Sequence, residues 1–308
     1  MSDALVFPGQ GSQSQGMQAD IAAEFAVVRE TWEEASSVLG FDLWSIVTDG
    51  PAEKLGETTI TQPAMLAAGV AAWRAWQELG GGTPAVVSGH SLGEYSALVA
   101  AEAMSFADAM RVVKRRSELM QEAVPKGVGG MAAILGLGDE DVIKACEAAA
   151  GDQVVEAVNF NAPNQVVIAG HSEAVERASE KAKEFGAMRA VPLPVSVPSH
   201  SSLMREAGEA LAEALAAAAI TSPRITVISA ADGTPYDQAD DIRERMCRQV
   251  YSPVRWVDTV RAMLDIGATR VVECGPGKVL AGLQRRIQRS TPVAALDSLD
   301  ALRAAAGA

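Results

Sequence analysis

The sequence predicts an α/β protein, a sheet with helices on its faces, interrupted by a smaller inserted unit. Three observations carry this reading. Strand-like and helix-like runs alternate from residue 3 to 122 and again after Pro198. A short apolar run, Ala85-Val86-Val87-Ser88, ends in Gly89-His90-Ser91-Leu92-Gly93 and passes at once into a helical run over 94–103. Between these two parts, residues 129–193 read strand, helix, strand, strand, helix, strand.

Each element has its own signal. Residues 3–7 (Asp-Ala-Leu-Val-Phe) form a buried strand entering the turn Pro8-Gly9-Gln10-Gly11-Ser12. Helical patterns follow over 18–39, 64–79 and 92–122, the last interrupted at Met104-Ser105, with Pro51 and Pro63 punctuating the region between. After Pro125-Lys126-Gly127 the character changes. A strand over 129–137 precedes a helix over 139–150, with Asp139 suited to its start. Strands over 154–160 and 165–169 flank the turn Asn161-Ala162-Pro163-Asn164. A helix over 172–185 is expected to be capped by Ser172 and ended by Gly186, and a strand over 188–193 follows. This β-α-β-β-α-β order defines a ferredoxin-like subdomain over 126–197, inserted into a discontinuous catalytic domain of 1–125 and 198–308. The larger unit resumes with a helix over 201–218, a strand over 225–230 and helices near 239–249 and over 253–266. A strand over 270–274 leads through Gly275-Pro276-Gly277 to a final helix, and the Ala-rich tail from Ala301 is a short helix or a frayed end.

Composition narrows the function classes. An apolar content of 48% supplies a core and excludes a disordered chain. Apolar stretches are broken by charge or glycine before the roughly 18 residues that a membrane span needs. The opening residues lack the basic and long apolar regions of a signal peptide. Cys146, Cys247 and Cys274 are scattered and form no C-x-x-C, so we expect buried thiols in a reducing cytoplasm and no metal. The net charge of −13 argues against nucleic acid and membrane partners. A local cluster of Lys278, Arg285, Arg286 and Arg289 reads either as a basic patch or as a solvated helix face.

The chemistry starts at Gly89-His90-Ser91-Leu92-Gly93, a G-x-S-x-G elbow in its strand–turn–helix context. The glycines open the turn, and the N–H groups at the helix start face any oxygen beside Ser91. A serine needs a base, and three histidines are present. His90, next to Ser91, projects elsewhere and walls the pocket. His171 opens a helix of the insert and has a local polar role. His200, in the proline-stiffened loop Pro194-Val195-Ser196-Val197-Pro198-Ser199-His200, is the base by elimination. No acid stands at an evident strand end to orient it, and a backbone carbonyl would suffice. Leu92 N–H is one oxyanion donor, and the Gly9-Gln10-Gly11 turn offers a second. Neither that turn nor Gly275-Pro276-Gly277-Lys278 has the spacing of a nucleotide-binding phosphate loop.

Together these pieces resemble the malonyl-CoA:acyl carrier protein transacylase family of type II fatty acid synthesis. The resemblance runs through Phe7-Pro8-Gly9-Gln10-Gly11-Ser12-Gln13, Thr61-Gln62-Pro63-Ala64, Gly89-His90-Ser91-Leu92-Gly93-Glu94-Tyr95 and Asn159-Phe160-Asn161. It continues through Val197-Pro198-Ser199-His200, Gln249-Val250-Tyr251-Ser252-Pro253-Val254 and Gly275-Pro276-Gly277-Lys278. It implies an α/β-hydrolase-like core with a ferredoxin-like insert. It implies Ser91 as the acyl-accepting nucleophile, His200 as general base and the Gln249 carbonyl as the group that orients it. The amides of Gln10 and Leu92 become the oxyanion donors and Arg116 the partner of the malonyl carboxylate. A fixed guanidinium fork binds a carboxylate bidentately, and on a helix Arg115 and Arg116 point about 100° apart, so one of them faces the serine. The implied reaction moves malonyl from malonyl-CoA to the thiol of acyl carrier protein through a malonyl-serine, in a cytoplasmic monomer without a cofactor. The alternatives are an acyltransferase serving a polyketide carrier protein, a serine esterase or thioesterase, and a non-catalytic binding module.

Overall fold

The computed structural model describes residues 2–125, 127–195 and 197–307, so the expected boundary at Lys126 and the loop residue Ser196 lie outside it. The first part runs β1 (Asp3–Phe7), α1 (Ala19–Glu24), α2 (Ala26–Leu39), α3 (Leu43–Asp49), α4 (Ala52–Leu55), α5 (Thr58–Glu78), β2 (Val86–Gly89), α6 (Gly93–Ala100) and α7 (Phe106–Ala123). Then come β3 (Gly129–Leu135), α8 (Asp139–Ala150), β4 (Val155–Ala162), β5 (Gln165–His171), α9 (Ser172–Glu184) and β6 (Arg189–Pro192). A 3₁₀ turn (Ser202–Met204) opens the last part, followed by α10 (Arg205–Ala217), β7 (Thr226–Ile228), α11 (Ala239–Gln249), α12 (Trp256–Asp265), β8 (Arg270–Glu273), α13 (Val279–Ile287), β9 (Val293–Ala295) and α14 (Leu299–Ala306).

Two sheets result. The larger has the order β7-β2-β1-β8-β9, and every pair in it is parallel. Helices cover both faces, so β1 and β2 are buried along their whole length and read as continuous apolar runs. In register, Phe7 lies opposite Gly89, which sets the turns after β1 and β2 side by side at the carboxyl edge. The smaller sheet is antiparallel, in the order β4-β5-β3-β6. Its residues alternate as a two-faced sheet must: Ala132, Ile134, Val166 and Ile168 pack with α8 and α9. Met131, Val158, Val167 and Ala169 form the opposite face, with Leu193 and Val195 against them.

Several local expectations change. The helix over 18–39 breaks at Phe25, whose backbone is extended and whose ring is buried. The next helix starts at Thr58 and carries Pro63 inside it. Proline there removes a helical hydrogen bond, but Thr61 through Ala68 are all buried, and packing outweighs the loss. The turn 161–164 tightens to Pro163-Asn164, because Ala162 still pairs with Gln165 and Asn164 accepts a φ of 59°. Ser172 is not the cap of α9. Its hydroxyl donates to the Gly127 and Val128 carbonyls and ties the helix start to β3, while His171 holds the cap position. Helices α3 and α4 and strand β9 have no counterpart in the sequence reading, and the tail is a helix, α14, capped by Ser298.

Candidate active site

The elbow forms where β2 meets α6. Ser91 has φ 53°, a strained value for a residue with a side chain, and the turn around it leaves no room for others. A Cβ on Gly89 would lie 1.9 Å from the Gly93 carbonyl carbon, and one on Gly93 would lie 1.9 Å from the Phe7 oxygen. A Cβ on Gly9 would meet the His90 oxygen at 2.6 Å, so the turn after β1 presses directly on the elbow. Among the described residues, neither the Gln10 nor the Leu92 amide has a hydrogen-bond partner, and both residues line the same cavity as Ser91.

His200 comes to the elbow from the loop before α10. Its Nε2 lies 2.7 Å from Ser91 Oγ. Its Nδ1 faces the carbonyls of Gln249 at 2.8 Å and Ser252 at 3.1 Å. Carbonyls only accept, so this network places the proton on Nδ1 and leaves the Nε2 lone pair for the serine hydroxyl. Burial, then the positive Arg116, pull the His200 pKa down to about 3, so the imidazole is neutral at pH 7. His90 turns away: its Nε2 meets Asn161 Oδ1 at 2.8 Å, while the residue walls the cavity as expected. His171 Nδ1 accepts from the Val154 amide at 3.0 Å, the local polar role expected of it.

The two arginines of α7 separate as the helical register requires. Arg115 points outward to Glu118 and Glu122. Arg116 is 1% exposed, and its Nη2 donates to Ser91 Oγ at 3.2 Å. It meets amides rather than carboxylates: Nη1 donates to Gln62 Oε1 at 2.6 Å and Nη2 to Gln249 Oε1 at 3.1 Å. The Tyr95 ring lies 5.9 Å from the guanidinium carbon. A buried cation held by neutral groups keeps its charge available to an incoming anion.

Three contributors were not singled out for a role in the sequence: Gln62, the Gln249 side chain and Glu94. Gln249 Nε2 donates to the Ser91 carbonyl at 2.8 Å and to Glu94 Oε2 at 2.5 Å. Glu94, fully buried on α6, also accepts from Tyr236 O–H at 2.6 Å and the Ala230 amide at 3.2 Å. Burial pushes its pKa up, and the bonds from Tyr236 and Gln249 oppose that. The cavity, about 110 Å³, opens between the two sheets, with Ser91, His200 and Arg116 on one side and Met131, Asn159, Leu193 and Val195 on the other.

The four cations near the C-terminus are all exposed; Lys278 pairs with Asp297 and Arg286 donates to Gln165. Among the described residues no group of three or more His, Cys, Asp or Glu is arranged to hold a metal, and no helix is long and apolar enough to cross a membrane. Cys146 and Cys274 are buried thiols and Cys247 is half-buried.

Comparison with known proteins shows the family. Residues 4–302 fit the model of the acyl transferase domain. The malonyl CoA-acyl carrier protein transacylase of Escherichia coli strain K12 is 53% identical over 302 residues, 98% of each chain. The acyl carrier protein S-malonyltransferase of Vibrio cholerae superimposes with a TM-score of 0.96 at 52% identity, over 99% of each chain. A malonyl-transacylase solved in complex with a type II polyketide synthase acyl-carrier protein superimposes with a TM-score of 0.98 at 50% identity, over 100% of this chain and 99% of that one. With its serine, histidine and buried arginine converging on one cavity, the chain belongs to the acyl transferase family, among the malonyl CoA-acyl carrier protein transacylases.

Proposed function

We propose that this enzyme moves the malonyl group of malonyl-CoA onto the phosphopantetheine thiol of an acyl carrier protein, with Ser91 as the transient carrier. The observation that carries the reading is Arg116, a buried cation 3.2 Å from Ser91 Oγ and bonded to amide oxygens rather than to a carboxylate. Ser91 Oγ attacks the thioester carbonyl while its proton passes to His200 Nε2. The Gln10 and Leu92 amides receive the developing oxyanion. The C–S bond then breaks, and the CoA sulfur leaves with the proton from His200. In the second half the carrier thiol gives its proton to His200, attacks the serine ester, and Ser91 recovers the proton as its C–O bond breaks. Arg116 holds the distal carboxylate throughout, and its pairing favours malonyl over acetyl by on the order of 2–5 kcal/mol.

Mass spectrometry after separate incubation with malonyl-CoA, acetyl-CoA and methylmalonyl-CoA tests this. The expected result is one malonyl adduct on Ser91, absent in Ser91→Ala; full labelling of that variant refutes the nucleophile assignment. Arg116→Ala is expected to depress malonyl transfer far more than acetyl transfer, and equal losses would remove the selectivity argument.

A polyketide carrier protein is the second reading, supported by the 50% identity to the transacylase solved with such a carrier. Transfer rates to fatty acid and polyketide carriers, measured side by side, separate the two. We further read residues 1–125 and 198–308 as an α/β-hydrolase-like domain and 126–197 as a ferredoxin-like one. The strand order β4-β5-β3-β6 supports the latter and the elbow after β2 the former. The free thiols support a cytoplasmic setting.

A further inference from the structure

We propose that Glu94 is a positioning residue that sets malonyl selectivity: through the side-chain amide of Gln249 it holds the Arg116 guanidinium beside Ser91. The proposal rests on the acyltransfer reading above. Gln249 touches Ser91, His200 and Arg116. Its backbone carbonyl accepts from His200, its Nε2 donates to the Ser91 carbonyl, and its Oε1 accepts from Arg116. That last contact requires the amide to face one way only. Turned over, it would set NH₂ against the guanidinium and an oxygen against the Ser91 carbonyl.

Glu94 enforces the orientation. Its Oε2 accepts from Gln249 Nε2 at 2.5 Å, while Oε1 is already taken by Tyr236 O–H and the Ala230 amide. Three donors therefore converge on one carboxylate in a fully buried setting, where an unpaired donor is costly. The carboxylate also stands one amide away from Arg116. It supplies countercharge without occupying the face of the guanidinium that meets the substrate. A direct Glu–Arg pair would have closed that face.

Glu94→Gln keeps the volume but offers one oxygen to three donors: turned one way its NH₂ confronts the Gln249 NH₂, turned the other way it confronts the Ala230 amide, and in both the negative charge behind Gln249 is lost. Tyr236→Phe removes one donor and loosens Glu94 more gently. Wild type, Glu94→Gln and Tyr236→Phe are assayed for acyl-Ser91 formation and transfer with malonyl-CoA and acetyl-CoA. The expected result is a fall of about tenfold in the malonyl-to-acetyl ratio of kcat/KM for Glu94→Gln, with KM for malonyl-CoA rising more than kcat drops. Tyr236→Phe shifts the ratio the same way by a smaller factor. Equal losses for both acyl groups, which a merely structural role would give, overturn the proposal, as does an unchanged ratio. Where Glu94→Gln does not fold, the ratio in Tyr236→Phe decides alone. A wild type that takes no malonyl sinks the acyltransfer reading and this proposal with it; an acylated wild type with an unmoved Glu94→Gln ratio sinks this proposal only.

Discussion

At the scale of single residues, the protonation of His200, the proposed base, is opposed twice, first by burial and then by Arg116. Its folded pKa, about 3, lies below the ordinary imidazole value, so the basic form persists as pH falls through 6.5. The acid limb of kcat/KM for malonyl-CoA is therefore expected well below pH 6.5. Arg116→Ala removes the second cause, eases protonation and moves that limb upward in pH. A pH profile of wild type and variant checks both the position and the sign; a downward shift would contradict the electrostatic argument. The same residue pair shows what a sequence makes legible. Ser91 announces itself because its strand, glycines and helix are contiguous; helical register says only that one of Arg115 and Arg116 faces it, and the family resemblance points to Arg116. Glu94 and the Gln249 side chain do not, because they meet across 155 positions and nothing local marks a buried carboxylate as the support of an amide.

At the scale of elements, the elbow is a problem of close approach. Gly93 lies at the start of α6 with the Phe7 oxygen of β1 at 1.9 Å from any added Cβ and the Phe7 carbon at 2.7 Å. Its φ is not in the left-handed region, so the demand on it is contact with backbone, which cannot swing aside as a side chain would. Gly93→Ala is expected to cost about 2–4 kcal/mol of stability, with a lower Tm by calorimetry and loss of acyl-enzyme as β1 or the Ser91 turn shifts. A near wild-type Tm would mean that β1 yields without cost. Element type was legible here because periodicity and flanking glycines agree. The misses came where tertiary burial overrode a local rule, as at Pro63 inside α5, or where the deciding bond was distant, as for Ser172, whose hydroxyl reaches back to Gly127 and Val128.

At the scale of the whole molecule, the site depends on how the small sheet is fixed to the large unit, and β4 is the joint. One edge of β4 pairs with β5; toward the large unit, the Phe160 amide donates to Val254 O at 2.9 Å and the Val254 amide to Val158 O at 2.8 Å. Farther along β4, Asn161 meets His90 of the elbow. At its start, Glu156 accepts from both the amide of Ser202, at 2.7 Å, and its hydroxyl, at 2.8 Å. Ser202 lies two residues beyond His200, whose own φ of 68° needs support from its surroundings. The small sheet thus braces the loop that carries His200, the proposed base, from outside the large sheet. Glu156→Ala leaves the Ser202 donors without this acceptor and costs about 1–2 kcal/mol. As the proposed base, His200 would serve every acyl group alike, so kcat should fall several-fold for malonyl and acetyl equally, with KM little changed. That pattern separates a fault in the base from a fault in the carboxylate clamp, where the two substrates part. A selective loss of malonyl transfer in Glu156→Ala would show that β4 acts on Arg116 instead.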